Sequence, residues 1–253
     1  MKYDAIILAG GESSSELKSL APHDNEALIN IGRHPMIYYV YEALIQSERI
    51  NHIVISGPPA VKELFPPSPR LFFSRGGQNA IDSFTNAAHV LEHKNITPQV
   101  LIVPSDIPFI HREAIDDFIT RCEQVEGDFY YSIVSREVIE KKFPGVERTY
   151  VGIKEGIFTG GNLFMIRSNK VEACREMGIK LINRRKNPLA IARLFGLNLF
   201  ARYVLKQLSI KHAEKRFYQV MGLKGRAIVS PFAEVGVDVD KPSDLELARK
   251  ILT

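Results

Sequence analysis

The stretch Leu8-Ala9-Gly10-Gly11-Glu12-Ser13-Ser14-Ser15 follows directly on the apolar run Ala5-Ile6-Ile7. An apolar segment that breaks into two glycines and small residues reads as a buried strand emptying into a loop that a ligand approaches closely. Glycine lets backbone N–H groups converge on an anion, and serines add donors without bulk, so the ligand suggested is a phosphate. An ordinary strand-to-helix turn uses the same residues. Pro104-Ser105-Asp106-Ile107-Pro108 tilts the balance, because a carboxylate at a strand end between two prolines suits a divalent metal. Alone, that acid would repel a bound phosphate; with Mg²⁺ between them it becomes a clamp. Asp238 and Asp240 fall on the same side of an extended segment, and with Asp106 they can supply two or three oxygens to one ion.

These residues need a scaffold, and the apolar runs supply one. Residues 5–7, 52–56, 71–73 and 99–103 read as buried strands, alternating with helical patterns at 36–44, after Pro35, and 80–91, after Asn79 as N-cap. Such alternation predicts a mostly parallel sheet with helices on both faces, whose strand carboxyl ends build the site. Three of those ends carry Gly10-Gly11, Gly76-Gly77 and Asp106. Neither GxGxxG nor GxxxxGK[ST] is present, and the first helix is expected only at Met36, after a long loop of the kind that wraps a ligand. Further on, 128–134 reads as a strand, and 149–154 and 157–166 as a hairpin turning at Glu155-Gly156. Gly160-Gly161-Asn162 places bare backbone and an amide at a strand edge, to hold an acceptor or to form a β-bulge. Of the nearby cations Arg136, Lys141, Lys142 and Arg148, most read as a solvated face, with one or two available to an acceptor phosphate.

The chain is expected to form one domain, residues 1–253, with a helical insertion at about 171–222. Within it, 14 of the 20 residues from 189 to 208 are apolar and the others gather on no single helical face, so this stretch wants burial on several sides. Arg184-Arg185-Lys186 precedes it, which suits either an anionic membrane surface or, more simply, packing on other helices or a partner subunit. Residues 209–222 form a separate helix, with serine at its start and glycine at its end. A hydrophobic content of 45% with 25% charged residues excludes disordered and fibrous classes. The net charge of +4 is too mild and dispersed for nucleic acid. Cys122 and Cys174 lack metal spacing and read as free thiols of a reducing compartment; with no signal-peptide succession at the start, a cytoplasmic location is expected.

The combination of Leu8-Ala9-Gly10-Gly11, Pro104-Ser105-Asp106-Ile107-Pro108 and Asp238-Val239-Asp240-Lys241-Pro242-Ser243-Asp244-Leu245 resembles the nucleotidyltransferases related to molybdenum cofactor guanylyltransferase. The likeness extends to the cytidylyl- and uridylyltransferases of sugar and isoprenoid metabolism, and it covers most of the chain outside 171–222. It implies a three-layer α/β/α Rossmann-like fold of glycosyltransferase-A type, with a mostly parallel mixed sheet. It also implies an enzyme that joins the nucleotidyl part of an NTP to a phosphorylated small-molecule acceptor and releases pyrophosphate. By position, the resemblance assigns Leu8, Ala9, Gly10, Gly11, Glu12, Ser74, Gly76, Gly77, Asn79 and Ser105 to the nucleotide, with the 74–79 loop near the base. Asp106 and Asp240, joined by Asp238, hold Mg²⁺; Gly160, Gly161, Asn162 and Arg148 face the acceptor. Members usually carry an arginine in the serine part of the loop and a lysine where this chain has Glu26. Such cations stabilise charge on the transferring phosphoryl group. Lys18 is the nearby cation left to substitute, so the catalytic set implied is Lys18, Glu26 and Asp106. Glu26 can instead hold a second metal, contact the base or acceptor, or mark a regulatory or scaffold protein that binds a nucleotide without transferring it. A third reading is a peripheral-membrane transferase with an amphiphilic acceptor, in which residues 189–208 make the membrane contact; a homo-oligomer contact through the same stretch is the alternative.

Overall fold

The opening apolar run becomes β1 (Tyr3–Leu8), whose first five residues are all buried. In this computed structural model β1 lies between β4 (Ile50–Gly57) and β6 (Gln99–Pro104), parallel to both. Cover on both faces is why these strands read as near-continuous apolar runs. β5 (Leu71–Arg75) continues the parallel part beyond β4. On the other side β9 (Gly156–Arg167) runs antiparallel to β6 and to β7 (Phe129–Ser135), and β10 (Gly225–Ser230) adds a parallel edge to β7. The order is β10-β7-β9-β6-β1-β4-β5, with β8 (Val151–Ile153) paired on β9 as the expected hairpin. The sheet is therefore mixed and mostly parallel. Residues 1–21, 23–94, 96–182, 194–196, 202, 205 and 207–253 are described.

Alternate residues of β1 feed two separate cores. Tyr3, Ala5 and Ile7 pack with residues of α2 (Met36–Ile45), α5 (Arg112–Glu123) and α9 (Pro242–Leu252). Ile6 points the other way, into a core shared with α4 (Ala80–Glu92) and α7 (Val171–Ile182). Helices thus cover both faces of the sheet, the α/β/α layering the sequence predicts. Phe217 and Met221 of α8 (Ile210–Met221) extend the second core. Ser209 accepts from His212 N at the start of α8, and Gly222 ends it at φ 69°, a left-handed position that glycine takes at no steric cost. Cys122 and Cys174 are buried free thiols, and burial pushes Cys174 up to about 12.

One expectation needs correction. The loop after the glycines is not helix-free up to Met36: α1 (Ser15–Leu20) stands within it. Ser14 caps α1 by accepting from Leu17 N at 3.2 Å, Glu16 lies in the first turn, and Leu17 is buried. A cap, a first-turn acid and an apolar anchor such as Leu17 favour this short helix. Most of 189–208, and all of Arg184-Arg185-Lys186, lie outside the described residues. Among the described residues, no helix is long and apolar enough to cross a membrane.

Candidate active site

Sheet register carries on past β1 into the glycine loop. Ala9 N donates to the Ser56 carbonyl (2.8 Å) and Ser105 N to the Leu8 carbonyl (3.0 Å), so the carboxyl ends of β1, β4 and β6 meet here. The chain then pairs with its own later part. Ser13 N donates to Asp24 O (2.9 Å), Glu26 N to Gly11 O (3.3 Å), and Glu12 bridges Asn25 in antiparallel fashion. Asn25 fixes this crossing. Its Nδ2 donates to the Ala9 carbonyl at 2.8 Å, while its Oδ1 accepts from Ala27 N at 3.0 Å and starts the 3-10 turn Glu26–Leu28. The turn lays the Glu26 carboxylate directly on Gly11: a Cβ there would stand 1.8 Å from Glu26 Oε1. Only glycine leaves that space.

Asp106 follows β6, and its carbonyl accepts from Val239 N at 2.8 Å, which seats residues 238–240 beside it. As a result one carboxylate oxygen each of Glu26, Asp106 and Asp240 lie within 4.8 Å of one another. Asp238 borders this group but is held by Arg148, whose Nη1 stands 2.5 Å from Asp238 Oδ1 and whose Nη2 donates to the Asp238 carbonyl at 2.6 Å. The third carboxylate of the convergent set thus comes from Glu26. Ser14 Oγ reaches the Asp240 carbonyl at 3.5 Å, and Asp240 N reaches Asp244 Oδ2 at 3.4 Å.

Burial and mutual repulsion both raise the pKa values of these acids. Asp106 is pushed well above the carboxylate range by burial, then by Glu26, Asp238 and Asp240. Glu26 rises to about 7 through burial and the charges of Asp240 and Asp238. Asp240 rises to about 6 through burial and its contact with Asp238, with Arg148 pulling it back. Asp106 Oδ1 is sealed from solvent and has no hydrogen-bond partner. A buried oxygen without a donor, among acids that disfavour their own ionisation, fits a hard divalent cation such as Mg²⁺.

The remaining expected site residues divide by what engages them. Lys18, on α1, pairs with Asp24 at 3.0 Å. The Ser13 hydroxyl is buried without a partner, whereas Ser14 serves the helix cap. Ser74 lies in β5, and its hydroxyl and that of Ser105 are buried without partners. Gly76 N donates to Gly57 O at 3.1 Å, and Gly77 N to Ser83 Oγ at 2.9 Å. Gly10 sits beside the same Ser83 hydroxyl. Asn79 caps α4, its Oδ1 accepting from Ile81 N and Asp82 N and its Nδ2 donating to Asp82.

Gly160-Gly161-Asn162 lies at a β-bulge: Tyr131 opposes Phe164 while Ile133 opposes Gly160. The Tyr131 hydroxyl fills the space beside Gly160, Ser132 and Val235 crowd Gly161, and Asn162 Nδ2 donates to the Val235 carbonyl at 3.2 Å. Burial and the charge of Asp238 raise the Tyr131 pKa. Sequence reasoning missed Asn25 as the anchor of the loop crossing. Its signal is the Asx pattern, a side-chain oxygen taking the N–H two residues on.

Residues 5–212 match the family model of the MobA-like NTP transferase domain. No curated protein sequence matches the chain. Among solved structures, a hypothetical transferase from Thermus thermophilus is similar at 33% identity and a TM-score of 0.81, covering 97% of this chain and 100% of that one. A CMP:2-keto-3-deoxy-manno-octonic acid synthetase complexed with CTP shares the fold at 14% identity and a TM-score of 0.61, over 100% of this chain and 98% of the other. The 2-C-methyl-D-erythritol 4-phosphate cytidylyltransferase of Francisella tularensis does so at 10% identity and 0.61, over 99% of each chain. With the family model spanning residues 5–212 and Glu26, Asp106 and Asp240 converging beside the glycine loop, this chain belongs to the MobA-like NTP transferases and is a nucleotidyltransferase.

Proposed function

We propose that this protein transfers the NMP part of an NTP to a phosphorylated small-molecule acceptor, with Mg²⁺ as the required ion and pyrophosphate as the second product. The observation that carries the reading is the meeting of Glu26, Asp106 and Asp240 beside Gly11, with Asp106 Oδ1 buried and unsatisfied. Asp106 and Asp240 are the residues that would hold the ion, which neutralises polyphosphate charge. The chain's own part is positioning. Gly10 would offer bare backbone to the phosphates, Gly11 leaves room for the Glu26 carboxyl, and Arg148 holds Asp238 so that the 238–240 segment stays against Asp106. Residues 74–79, between the end of β5 and the start of α4, with Ser83 of α4 bonded to Gly77 N, would read the base. Asp106 needs no proton to work; its role is to stay anionic against a cation.

The test is a pyrophosphate-release assay with MgCl₂, each of the four NTPs and a panel of phosphorylated sugars and alcohols. It starts from CTP, the nucleotide bound in one solved neighbour. Asp106→Asn is expected to lower release about a hundred- to a thousandfold, as loss of a group that stabilises developing charge does. Undiminished turnover in that variant would sink the metal assignment. An NTP and Mg²⁺ that stabilise the fold without any pyrophosphate forming would favour the binding-only reading of Glu26.

A further inference from the structure

We propose that Glu26 is a third carboxylate ligand of the cation site, so that the protein takes up a divalent cation on Glu26, Asp106 and Asp240 before any nucleotide binds. The inference rests on the reading of Asp106 and Asp240 as cation ligands, and it adds a residue and an order of binding to it.

The position of Glu26 is built. Asn25 ties the preceding peptide to Ala9 and caps the 3-10 turn, and Glu26 N is held by Gly11 O. The absent side chain of Gly11 is the space in which the Glu26 carboxyl lies. From there it comes within 4.8 Å of the oxygens of Asp106 and Asp240. Among the described residues no ion pair reaches any of the three, since Arg148 is spent on Asp238. The sealed and unpartnered Asp106 Oδ1 is a second, independent sign that a ligand completes the group.

The number of carboxylates decides the order. Mg²⁺ held by one or two carboxylates usually depends on substrate phosphates for the rest of its shell, and so arrives with them. Three converging carboxylates with no competing cation hold it without that help. The same placement favours prior loading. A bare Glu26 carboxylate against Gly11 puts negative charge where the loop would receive a polyphosphate, and the two repel until a cation stands between them.

The experiment titrates Mn²⁺ into nucleotide-free protein, followed by its EPR signal, with Mg²⁺ competition in calorimetry. Wild type is expected to bind Mn²⁺ without nucleotide, Glu26→Gln at least tenfold more weakly, and Glu26→Asp in between. Melting in EDTA confirms that each variant folds. Adding Mg²⁺ should then raise the melting temperature of wild type and leave that of Glu26→Gln nearly unmoved. Equal Mn²⁺ affinity in wild type and Glu26→Gln would overturn the proposal, as would a wild type that takes up Mn²⁺ only after nucleotide is added. Glu26-dependent Mn²⁺ uptake in a protein that releases no pyrophosphate with any NTP and acceptor would uphold this assignment while the transfer reading fails.

Discussion

Gly11→Ala separates the packing role of Gly11 from its role in placing Glu26. The alanine Cβ would stand 1.8 Å from Glu26 Oε1, 2.5 Å from Cδ and 3.2 Å from Cγ. Ordinary non-bonded contact begins near 3.5 Å, so the carboxyl must retreat by about 1.5 Å or more. Gly11 is not among the positive-φ glycines, so alanine takes its backbone without strain. What it displaces is the far end of a flexible side chain. The fold should therefore lose less than about 1 kcal/mol, with the entropy gain of a glycine replacement offsetting part of the cost. Cation binding should suffer more. Even partners one step removed from a metal ligand are worth about 10- to 100-fold in affinity, so displacing a ligand should weaken Mn²⁺ uptake at least about tenfold. Urea denaturation in EDTA measures the first quantity and EPR titration the second. In a Glu26→Gln background the alanine should add little, because the group it displaces no longer carries charge. Wild-type Mn²⁺ affinity in Gly11→Ala, or full additivity in the double variant, would refute the placement of Glu26 as a ligand.

Two further variants test the frame around the site. Gly161→Ala would bring a Cβ to 2.3 Å from Ser132 Oγ and 2.9 Å from Val235 Cγ1, where Ser132 already exchanges hydrogen bonds with Leu163. Overpacking of this kind costs about 1–3 kcal/mol, to be read by urea denaturation; a change under about 0.5 kcal/mol would mean that the bulge yields. Glu234 is buried against Lys142 and His111; burial alone would raise its pKa, but these partners bring it from 4.5 down to about 2. A carboxylate with a lowered folded-state pKa contributes stability that is complete above 4.5 and is lost as the pH falls toward 2. The shift has a ceiling of about 3 kcal/mol, and solvent around the half-exposed Lys142 reduces it to about 1–2 kcal/mol. Glu234→Gln should be destabilised by that amount at pH 7, and its gap to wild type should close below pH 4.5; a gap independent of pH would rule out the ion pairs as its source.

Much of the fold was legible because the central strands are buried on both faces. The runs at 5–7, 52–56 and 99–103 became β1, β4 and β6, and the hairpin turning at Glu155-Gly156 became β8 and β9. What escaped was local and short. α1 spans six residues, among which Leu17 is a buried anchor, and six residues carry too little periodicity to stand out in a run of serines. The use of Ser14 as a cap also removes one of the hydroxyls that the glycine loop offers a phosphate in the sequence. The glycines at 160–161 show the opposite limit. A bare backbone reads equally as room for a ligand or for a neighbour, and only the register of β7 against β9 assigns that room to Tyr131 and Ser132.

The acids show why a site is harder to read than a sheet. Alternation along an extended segment puts Asp238 and Asp240 on one side, and strand topology brings that side near Asp106. Which of the two joins Glu26 and Asp106 is settled by Arg148, far off in the sequence and outside any regular strand, which takes Asp238. Glu26 enters by an equally non-local route, through Asn25 and the gap at Gly11. Its acidity reads in the sequence as an argument against transfer, since a negative charge replaces the positive one that the phosphates call for. In the folded protein the sign of that argument depends on what the carboxylate carries. Bare, it opposes a polyphosphate. With Asp106 and Asp240 it shares a divalent cation that offsets two of the three negative charges and offers the phosphates a positive centre to coordinate, and the acid at position 26 becomes compatible with the chemistry it opposes when bare.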